Sequence, residues 1–406
     1  MKRKLDFLLD EKELGYLRKK VREFVLDLKK SLRKKKIAAD VFVGGSFGKG
    51  TLTKSGVCDV DVFVRFDRKY KDLSKELEKI LPRKGKRVHG SRDYFSFADG
   101  KLEIEVVPVL KIRKPEEAQN VTDLSYFHVS YVKRKLNERL RREISLAKKF
   151  CKAQRVYGAE SYINGFSGYS LECLIIYFGR FEKMLRVLSK IKDREVIDPA
   201  RHYKRKADAL VELNESKTRG PLILVDPTFR ERNILAGLNA ESFEKFKKAA
   251  KSFLKNHSER FFLSDSFEVD RFKKKKGEFV RVVLETDRQE GDIAGTKMRK
   301  FSRFLIKEIE RYFEVLGKEF DYYGGKKAEL YLVLKPRGEV IRKGPSLADK
   351  RNVVRFRKQN KKVFVKSGDL YAREKVDFSG KEFVLKLAKG KKVREMSIIG
   401  LVATRN

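Results

Sequence analysis

The clearest pattern of hydrophobic and polar positions lies within residues 41–66. The apolar run 41–43 is followed by the turn sequence GGS, and a second apolar run carries the sequence DVD. This pattern predicts a strand, a tight turn, a short helix and a second strand. Side chains on a strand alternate between its two faces, so Asp59 and Asp61 share one face while the neighbouring valines point into a core.

Periodicity also predicts the elements of the rest of the chain. Apolar residues at helical spacing predict helices over residues 1–38, 72–81, 144–156, 240–253 and 297–316. The sequence GFSGY at 165–169 predicts the start of a buried helix, with Ser167 as its cap. Alternating apolar residues predict paired strands within 85–112 and strands at 279–284 and 329–334. The pattern breaks within 256–270, where we expect a domain boundary.

Composition narrows the classes of protein that fit. A chain of 406 residues is long enough for two to four domains. The 98 Lys and Arg residues against 57 Asp and Glu give a formal net charge of +41, which favours a polyanionic partner, with nucleic acid first and an anionic membrane second. The sequence contains no apolar run near the ~20 residues of a membrane span. The start of the chain lacks a signal peptide's apolar core, and three widely spaced cysteines predict a reduced cytoplasm and no zinc site.

The segment 41–66 also carries the candidate chemistry. Two adjacent carboxylates repel each other unless a cation lies between them, and Mg²⁺ is the natural candidate because it takes oxygen ligands together with substrate phosphates. Glycines let the backbone approach an anion, Ser46 adds a hydroxyl group, and Lys49 and Lys54 add positive charge. The sequence departs from the P-loop and from the dinucleotide fingerprint. A glycine turn alone is typical of an ordinary connection, whereas the turn with two aspartates is much more specific.

A third carboxylate is expected from the strand within 101–108. Glu103 and Glu105 share its polar face, and alternation alone does not choose between them. If this strand lies beside the Asp59–Asp61 strand, one of the two glutamates joins the aspartates. The alternative is that both glutamates only form the polar face of a half-buried strand.

The turn and the two aspartates resemble the nucleotidyltransferase superfamily that includes DNA polymerase beta. More narrowly, residues 40–375 resemble, in collinear order, the archaeal class I CCA-adding enzymes, which are tRNA nucleotidyltransferases. The resemblance implies an α+β, multidomain fold with a polymerase-beta-like head, a mostly helical central domain, a small α+β RNA-binding domain and a tail. It predicts domains at 1–143, 144–256, 257–343 and 344–406.

The resemblance also implies site residues. An acid directly before Val-Val-Pro selects Glu105, where relatives usually have Asp. The segment SYFH matches one whose histidine lies near the triphosphate, which implies His128. A Lys and a Tyr nine residues apart touch the nucleotide in these enzymes, and a nearby arginine reads the base. The implied nucleotide-binding residues of this chain are Gly45, Ser46, Lys49, His128, Lys148, Tyr157 and Arg232, with Arg230 as the neighbour that could confuse the last assignment.

The function implied is the addition of C, C and A to tRNA 3′ ends from CTP and ATP, without a nucleic-acid template. Asp59, Asp61 and Glu105 would hold two Mg²⁺ ions. Two alternatives remain open at this stage: a poly(A) polymerase-like terminal RNA nucleotidyltransferase, and an RNA-binding protein with an inactive head. The expected partners are tRNA and the two nucleotides, with no membrane, and a homodimer is left open.

Overall fold

The computed structural model describes residues 7–54, 56–263, 272 and 275–405. The chain forms two compact units, one of Met1–Ala159 with Ile163–Ser264, the other of Glu160–Tyr162 with Asp265–Asn406. No helix within the described ranges combines the length and the apolar character that crossing a bilayer requires. Helices and sheets occur in both units, so the predicted α+β, multidomain fold class is confirmed.

The first half of the first unit is built on a five-stranded sheet, which we call the head sheet. Its strand order is β1-β2-β5-β4-β3, with β2 and β5 parallel and the other neighbours antiparallel. The elements are α1 (Glu11–Lys34), β1 (Ala39–Val43), α2 (Gly45–Lys49), β2 (Cys58–Phe66), α3 (Leu73–Ile80), β3 (Lys86–Val88), β4 (Tyr94–Asp99) and β5 (Leu102–Leu110).

Helix α1 covers one face of the head sheet because its apolar residues recur at helical spacing. Leu17, Val21 and Leu28 are buried with the inward-facing residues of β2. The helix begins with a capping box, in which the Asp10 carboxylate accepts from the Glu13 N–H at 2.8 Å. The helix predicted over residues 1–38 is therefore shorter than expected, and residues 1–6 lie outside the described residues.

The rest of the first unit is mostly helical, with a small sheet of order β6-β7-β8. A cluster of buried phenylalanines, including Phe150, Phe181 and Phe246, holds its helices together. Its elements are α4 (Ser125–Lys135), α5 (Glu138–Ala153), α6 (Gly168–Phe178), α7 (Phe181–Leu188), β6 (Glu195–Ile197), α8 (Lys206–Glu212), α9 (Glu215–Thr218), β7 (Leu222–Asp226), β8 (Phe229–Asn233) and α10 (Ala240–Lys255).

Caps define where these helices begin. Ser167 Oγ accepts from the Ser170 N–H at 3.1 Å, so the predicted cap of the GFSGY helix is confirmed. The segment SYFH forms the first turn of α4. Asn137 caps α5, so α4 and α5 are separate helices.

The second unit contains a four-stranded sheet of order β10-β11-β9-β15 and a three-stranded sheet of order β12-β14-β13. The helix predicted over 297–316 is wrong at its end, since it stops at Ile309 and a strand that pairs with β11 begins at Phe313. The elements are β9 (Glu278–Glu285), α11 (Asp292–Ile309), β10 (Phe313–Tyr322), β11 (Lys327–Pro336), β12 (Glu339–Ser346), α12 (Lys350–Gln359), β13 (Val363–Lys366), β14 (Asp369–Lys375), α13 (Gly380–Ala388), α14 (Lys391–Glu395) and β15 (Gly400–Arg405).

Part of the domain boundary expected within 256–270 falls on residues 264–270, which lie outside the described residues. Strand β12 spans residues on both sides of the boundary expected at 343/344, and β15 near the end of the chain pairs with β9. The division into four domains stays a prediction.

Candidate active site

Two neighbouring parallel strands of the head sheet carry the aspartates and glutamates of the candidate site. Strands β2 and β5 pair in a register that sets Asp61 opposite Glu105 and Asp59 opposite Glu103. Because side chains alternate along both strands, all four carboxylates project from one face, while Val60 and its alternate neighbours are fully buried on the other. We call this the acidic face.

The two glutamates of the acidic face have different surroundings. Burial, together with the charges of Asp61, Glu103 and Asp59, raises the pKa of Glu105 to about 7. Burial also raises the pKa values of the two aspartates. Glu103 instead accepts a hydrogen bond from Ser96 Oγ at 2.6 Å. The structure thus separates two residues that alternation along the strand left equivalent.

The donor chemistry of the acidic face fits a hard divalent cation. Carboxylate oxygens are the ligands that Mg²⁺ takes in proteins, and a cation stabilises carboxylates whose charges raise each other's pKa. Among the residues that the structure describes, no group of three or more His, Cys, Asp or Glu side chains is arranged to hold a metal ion. The fit therefore rests on the oxygen donors of Asp59, Asp61 and Glu105 facing one way, not on a closed ligand set.

The glycine turn brings the main chain against Asp61. The Gly44 N–H donates to the Asp61 carbonyl oxygen at 2.8 Å. Gly45 has φ +56°, and a Cβ atom at this position would overlap Asp61 Oδ2, so only glycine permits the approach. Ser46 follows on α2 and is half-buried. The sequence GGS therefore sets the turn directly beside the aspartate pair.

Lys49 lies inside the protein, paired with an acid from the helical part of the unit. Its Nζ atom is 2.6 Å from Glu172 Oε2, and Lys148 Nζ is 2.7 Å from Glu172 Oε1. Thr51 donates its Oγ1 hydrogen to Glu172 Oε1 at 2.5 Å, and its carbonyl oxygen accepts from Lys148 Nζ at 3.1 Å. We call these four residues the Glu172 cluster. It joins the glycine turn of the head sheet to α5 and α6.

Two ammonium groups share one carboxylate in the Glu172 cluster. Burial alone would raise the pKa of Glu172, but the charges of Lys148 and Lys49 hold it at about 2. Burial lowers the pKa of Lys148 to about 8, an effect that Glu172 opposes and Lys49 reinforces. At neutral pH the cluster therefore keeps a net positive charge, and the Lys49 charge lowers the pKa of Asp61 against the effect of burial.

A second buried cluster centres on Asp226, at the end of β7. Its Oδ2 atom accepts from Arg232 Nη1 at 2.8 Å and lies 3.1 Å from His128 Nε2. Its Oδ1 atom accepts from Tyr169 OH at 3.0 Å and from Thr228. Against the opposing effect of burial, His128 and Arg232 hold the pKa of Asp226 well below its ordinary value. A charged Asp226 therefore orients every one of these side chains.

Burial lowers the pKa of His128 and so favours its neutral form, although Asp226 favours the charged form. Its ring stacks on Tyr169 with 4.1 Å between centroids, and its Nε2 atom lies 2.9 Å from Arg232 Nη1. A neutral ring either accepts from Arg232 or, in the other tautomer, donates to Asp226. Arg230, two residues before Arg232, instead pairs with an exposed glutamate, Glu212.

Tyr157 and Lys148 meet at the beginning of α6. A Cβ atom on Gly168 would lie 2.8 Å from Tyr157 OH and 3.8 Å from Lys148 Cε, so this glycine of GFSGY leaves room for both side chains. Tyr157 also forms an isolated β-bridge with Phe166. The Lys and Tyr nine residues apart are thus close in space as well as in sequence.

The expected site residues fall into three groups. The first contains the acidic face with the glycine turn, the second the Glu172 cluster with Tyr157, and the third the Asp226 cluster. Glu172 and Asp226 were not among the site residues expected from the sequence. A usable signal existed for Glu172, since it is the one acid near the start of the apolar run 171–178.

Two protein-family models match consecutive parts of the first unit. Residues 19–142 match the family described as nucleotidyltransferase domain, and residues 142–263 match the one described as tRNA nucleotidyltransferase, second domain. A solved structure of a cytoplasmic RNA terminal U-transferase aligns with a TM-score of 0.48 at 14% identity, covering 64% of this chain and 94% of that one.

Curated relatives match over most of the chain. The CCA-adding enzyme of Nanoarchaeum equitans is 34% identical over 321 residues, which are 77% of this chain and 78% of that protein. The CCA-adding enzyme of Thermoplasma volcanium is 32% identical over 323 residues, or 77% of this chain and 69% of that protein. The resemblance found in the sequence is confirmed, and the chain belongs to the family of archaeal CCA-adding enzymes.

Proposed function

We propose that this chain adds C, C and A to the 3′ ends of tRNAs that lack them, using CTP and ATP and releasing pyrophosphate. The observation that carries the proposal is the register of β2 and β5, which turns Asp61 and Glu105 to one face beside the Gly45 turn. Relatives named CCA-adding enzymes support this choice of reaction. The formal net charge of +41 suits a nucleic-acid substrate.

Mg²⁺ is the cofactor that we propose for the acidic face. Asp59, Asp61 and Glu105 would hold it through their carboxylate oxygens, and the burial and neighbouring carboxylate charges that raise their pKa values support a cation there. When bound, Mg²⁺ neutralises charge on the triphosphate and on the leaving pyrophosphate.

The glycine turn would hold the triphosphate. Gly45 leaves the main chain open to a close approach, and Ser46 supplies a hydroxyl group. Lys49 and Lys148 act from inside the protein: two ammonium groups against the single Glu172 carboxylate leave a net positive charge in a low-dielectric setting. Such a charge favours an anion at the turn and requires no side-chain rearrangement when charge develops.

Arg232 would select the base, with His128 and Tyr157 beside the nucleotide. An arginine can donate to O2 and N3 of cytosine or to N1 of adenine. Uracil presents a protonated N3 and guanine a protonated N1, which leaves polar groups unpaired at about 1–3 kcal/mol per group. Because Asp226 and His128 hold Arg232 on two sides, its guanidinium is oriented before the nucleotide arrives.

The reaction itself demands little covalent chemistry from the protein. The tRNA 3′-hydroxyl oxygen attacks the α-phosphorus, the bond to the bridging oxygen breaks, the hydroxyl proton is released and pyrophosphate leaves. Positioning and charge stabilisation supply most of the acceleration in such transfers. Residues of this chain contribute by holding the triphosphate at the turn and the base at Arg232.

The test uses purified protein, Mg²⁺, labelled CTP or ATP, and tRNAs ending before CCA, after C and after CC. We expect CTP to be added to the first two substrates and ATP only to the third. Long, repeated addition of A to unrelated RNAs would instead assign a poly(A) polymerase-like terminal transferase. Binding of tRNA without any addition would assign an RNA-binding protein with an inactive head.

The four-domain division, with its head, central domain, tRNA-binding body and tail, is kept as part of this proposal. The cytoplasmic location and the homodimer stay predictions from the sequence.

A further inference from the structure

A concavity lies on the helical part of the first unit. It encloses about 680 Å³ and is lined by residues of α4 and α6 and of the segment between β6 and α8. We call it the Tyr177 pocket. Asp61, Lys148 and Arg232 are not among its lining residues, so it is separate from the candidate active site. Its volume falls within the range of sites that hold a nucleotide-sized ligand.

The charge of the Tyr177 pocket favours an anion. Lys135, Arg201 and Lys204 line it and are exposed. In the part of the chain that the structure describes, none of the three has a carboxylate partner within ion-pair distance. The acid that lines the pocket, Asp198, accepts a hydrogen bond from the Tyr203 N–H at 2.9 Å. Three cations without acidic partners therefore remain for a ligand.

Aromatic side chains narrow the class of anion. Tyr177 is 50% exposed, and its ring packs edge-on against Phe178 with 4.9 Å between centroids. Tyr203 is held in place because its hydroxyl group donates to the Arg230 carbonyl oxygen at 2.8 Å. A phenol ring open to solvent beside several cations is the combination that binds a nucleotide, with its base on the ring and its phosphate on the cations.

We propose that the Tyr177 pocket binds a nucleotide of the tRNA substrate at a position away from its 3′ end. A backbone phosphate would contact Lys135, Arg201 and Lys204, and the base or ribose would lie against Tyr177. The proposal rests on the proposed function, because tRNA is the RNA that this function supplies. RNA is favoured over a free nucleotide because the three cations come from two separate elements, α4 and the segment before α8, and suit neighbouring phosphates of a strand.

The absence of tryptophan from the sequence allows a local reporter. Tyr177→Trp introduces a single tryptophan at the pocket, and Tyr16→Trp introduces one on α1 at a similar exposure of 55%. Titration with tRNA should quench or shift the tryptophan fluorescence of Tyr177→Trp and leave that of Tyr16→Trp nearly unchanged. Titration of the same two proteins with CTP alone, without tRNA, tests the free nucleotide. A response of Tyr177→Trp to CTP but not to tRNA would overturn the assignment to RNA.

Charge variants test the phosphate contacts. The variant Lys135→Ala/Arg201→Ala/Lys204→Ala should bind tRNA at least about tenfold more weakly, and its slope of log affinity against log salt should fall by about 2 to 3, since each phosphate contact contributes roughly 0.7–0.9. The control Lys19→Ala/Lys29→Ala/Arg33→Ala removes the same charges from exposed positions on α1. Equal losses in the two variants would overturn the proposal.

A charge-conserving variant separates binding from folding. Lys135→Arg/Arg201→Lys/Lys204→Arg should recover most of the tRNA affinity, whereas a loss as large as that of the alanine variant would show that these residues act through local structure and would overturn the proposal. The KM for CTP at saturating tRNA should not change in any of these variants. If wild-type protein adds nucleotides to no tRNA, the proposed function fails, while the equilibrium binding of tRNA still decides the role of the pocket.

Discussion

The Nζ atom of Lys49 lies 2.6 Å from Oε2 of Glu172, and both side chains are almost completely buried. Lys49 ends the short helix after the glycine turn, whereas Glu172 belongs to α6, so this ion pair ties the head sheet to the helical part of the same unit. A buried ion pair is no guarantee of net stability, but removing one partner leaves an uncompensated charge inside the protein.

Glu172→Gln should therefore destabilise the protein. The substitution leaves Lys49 and Lys148 without their shared carboxylate, and breaking a buried pair in this way costs about 3–5 kcal/mol. Unfolding by urea at neutral pH measures the loss. The matched control is Glu78→Gln on α3, where an exposed glutamate lies 3.6 Å from Arg87, and the expected change there is at most about 1 kcal/mol. Equal effects of the two substitutions would contradict the role given to the Glu172 cluster.

The same carboxylate makes a pH prediction with a definite sign. The pKa of Glu172 is lowered from 4.5 to about 2 in the folded protein. A depressed acid pKa contributes stability that is fully present above the unfolded pKa and is lost as pH falls through the folded one. The difference in unfolding free energy between wild type and Glu172→Gln should thus shrink as the pH falls from 4.5 towards 2. A difference that stays constant over that window would show that Glu172 is not held ionised.

Glu105→Gln and Glu103→Gln should differ in their effect on catalysis. Glu105 lies opposite Asp61, and burial together with the charge of Asp61 raises the pKa of Glu105, whereas Glu103 accepts a hydrogen bond from Ser96. We expect Glu105→Gln to lower single-nucleotide addition by at least about 100-fold, on the scale of losing one charge-stabilising group. The rate of single-nucleotide addition by Glu103→Gln should stay close to that of wild type.

Binding measurements accompany this pair of variants. Both variants should bind tRNA as tightly as wild type does, because the substituted glutamates belong to the acidic face and carry no positive charge that could contact a phosphate. The midpoint temperature of thermal unfolding should rise with Mg²⁺ in wild type, because Mg²⁺ binds preferentially to the folded state. The rise should be smaller in Glu105→Gln. Inactivation by Glu103→Gln alone would mean that the wrong glutamate has been assigned.

Much of the fold could be predicted because many elements bury a face whose residues are close in sequence. Strand β2 alternates acids with buried valines, and the GFSGY helix carries its own cap in Ser167. The end of the helix after residue 297 could not be predicted, because residues 313–322 become a strand only through pairing with β11. Likewise, the local sequence of β15 does not predict its pairing with β9.

The candidate site divides in the same way. The acidic pair and the glycine turn are local features, so their positions could be predicted from spacing. The burial of Lys49 and Lys148 could not, because their partner Glu172 is brought to them only by the packing of α6 against the head. The role of Asp226 towards Arg232 could not be predicted either, because it depends on the geometry of the β7–β8 hairpin and on α4.

Asp226 should act on base selection through Arg232. Asp226→Asn keeps the shape of the side chain but removes the charge that orients the guanidinium, and a hydrogen bond to a charged group contributes about 1.5–3 kcal/mol. CTP and ATP incorporation should fall roughly 10- to 100-fold, with a smaller preference over UTP and GTP. Incorporation of each of the four nucleotides on tRNAs ending before CCA and after CC measures both effects.

A double-mutant cycle distinguishes this role from a general loss of structure. If Asp226 works by holding Arg232, then Asp226→Asn/Arg232→Ala should prefer CTP over UTP as much as Arg232→Ala alone does. The reason is that Arg232→Ala already removes the guanidinium that Asp226 orients. If Asp226 only supports the hairpin, the two losses should add, and thermal stability should fall with them. Arg230→Ala is the matched arginine control, since Arg230 pairs with the exposed Glu212 and should leave the preference unchanged. A loss of preference in Arg230→Ala but not in Arg232→Ala would shift the base-reading role by two residues along β8.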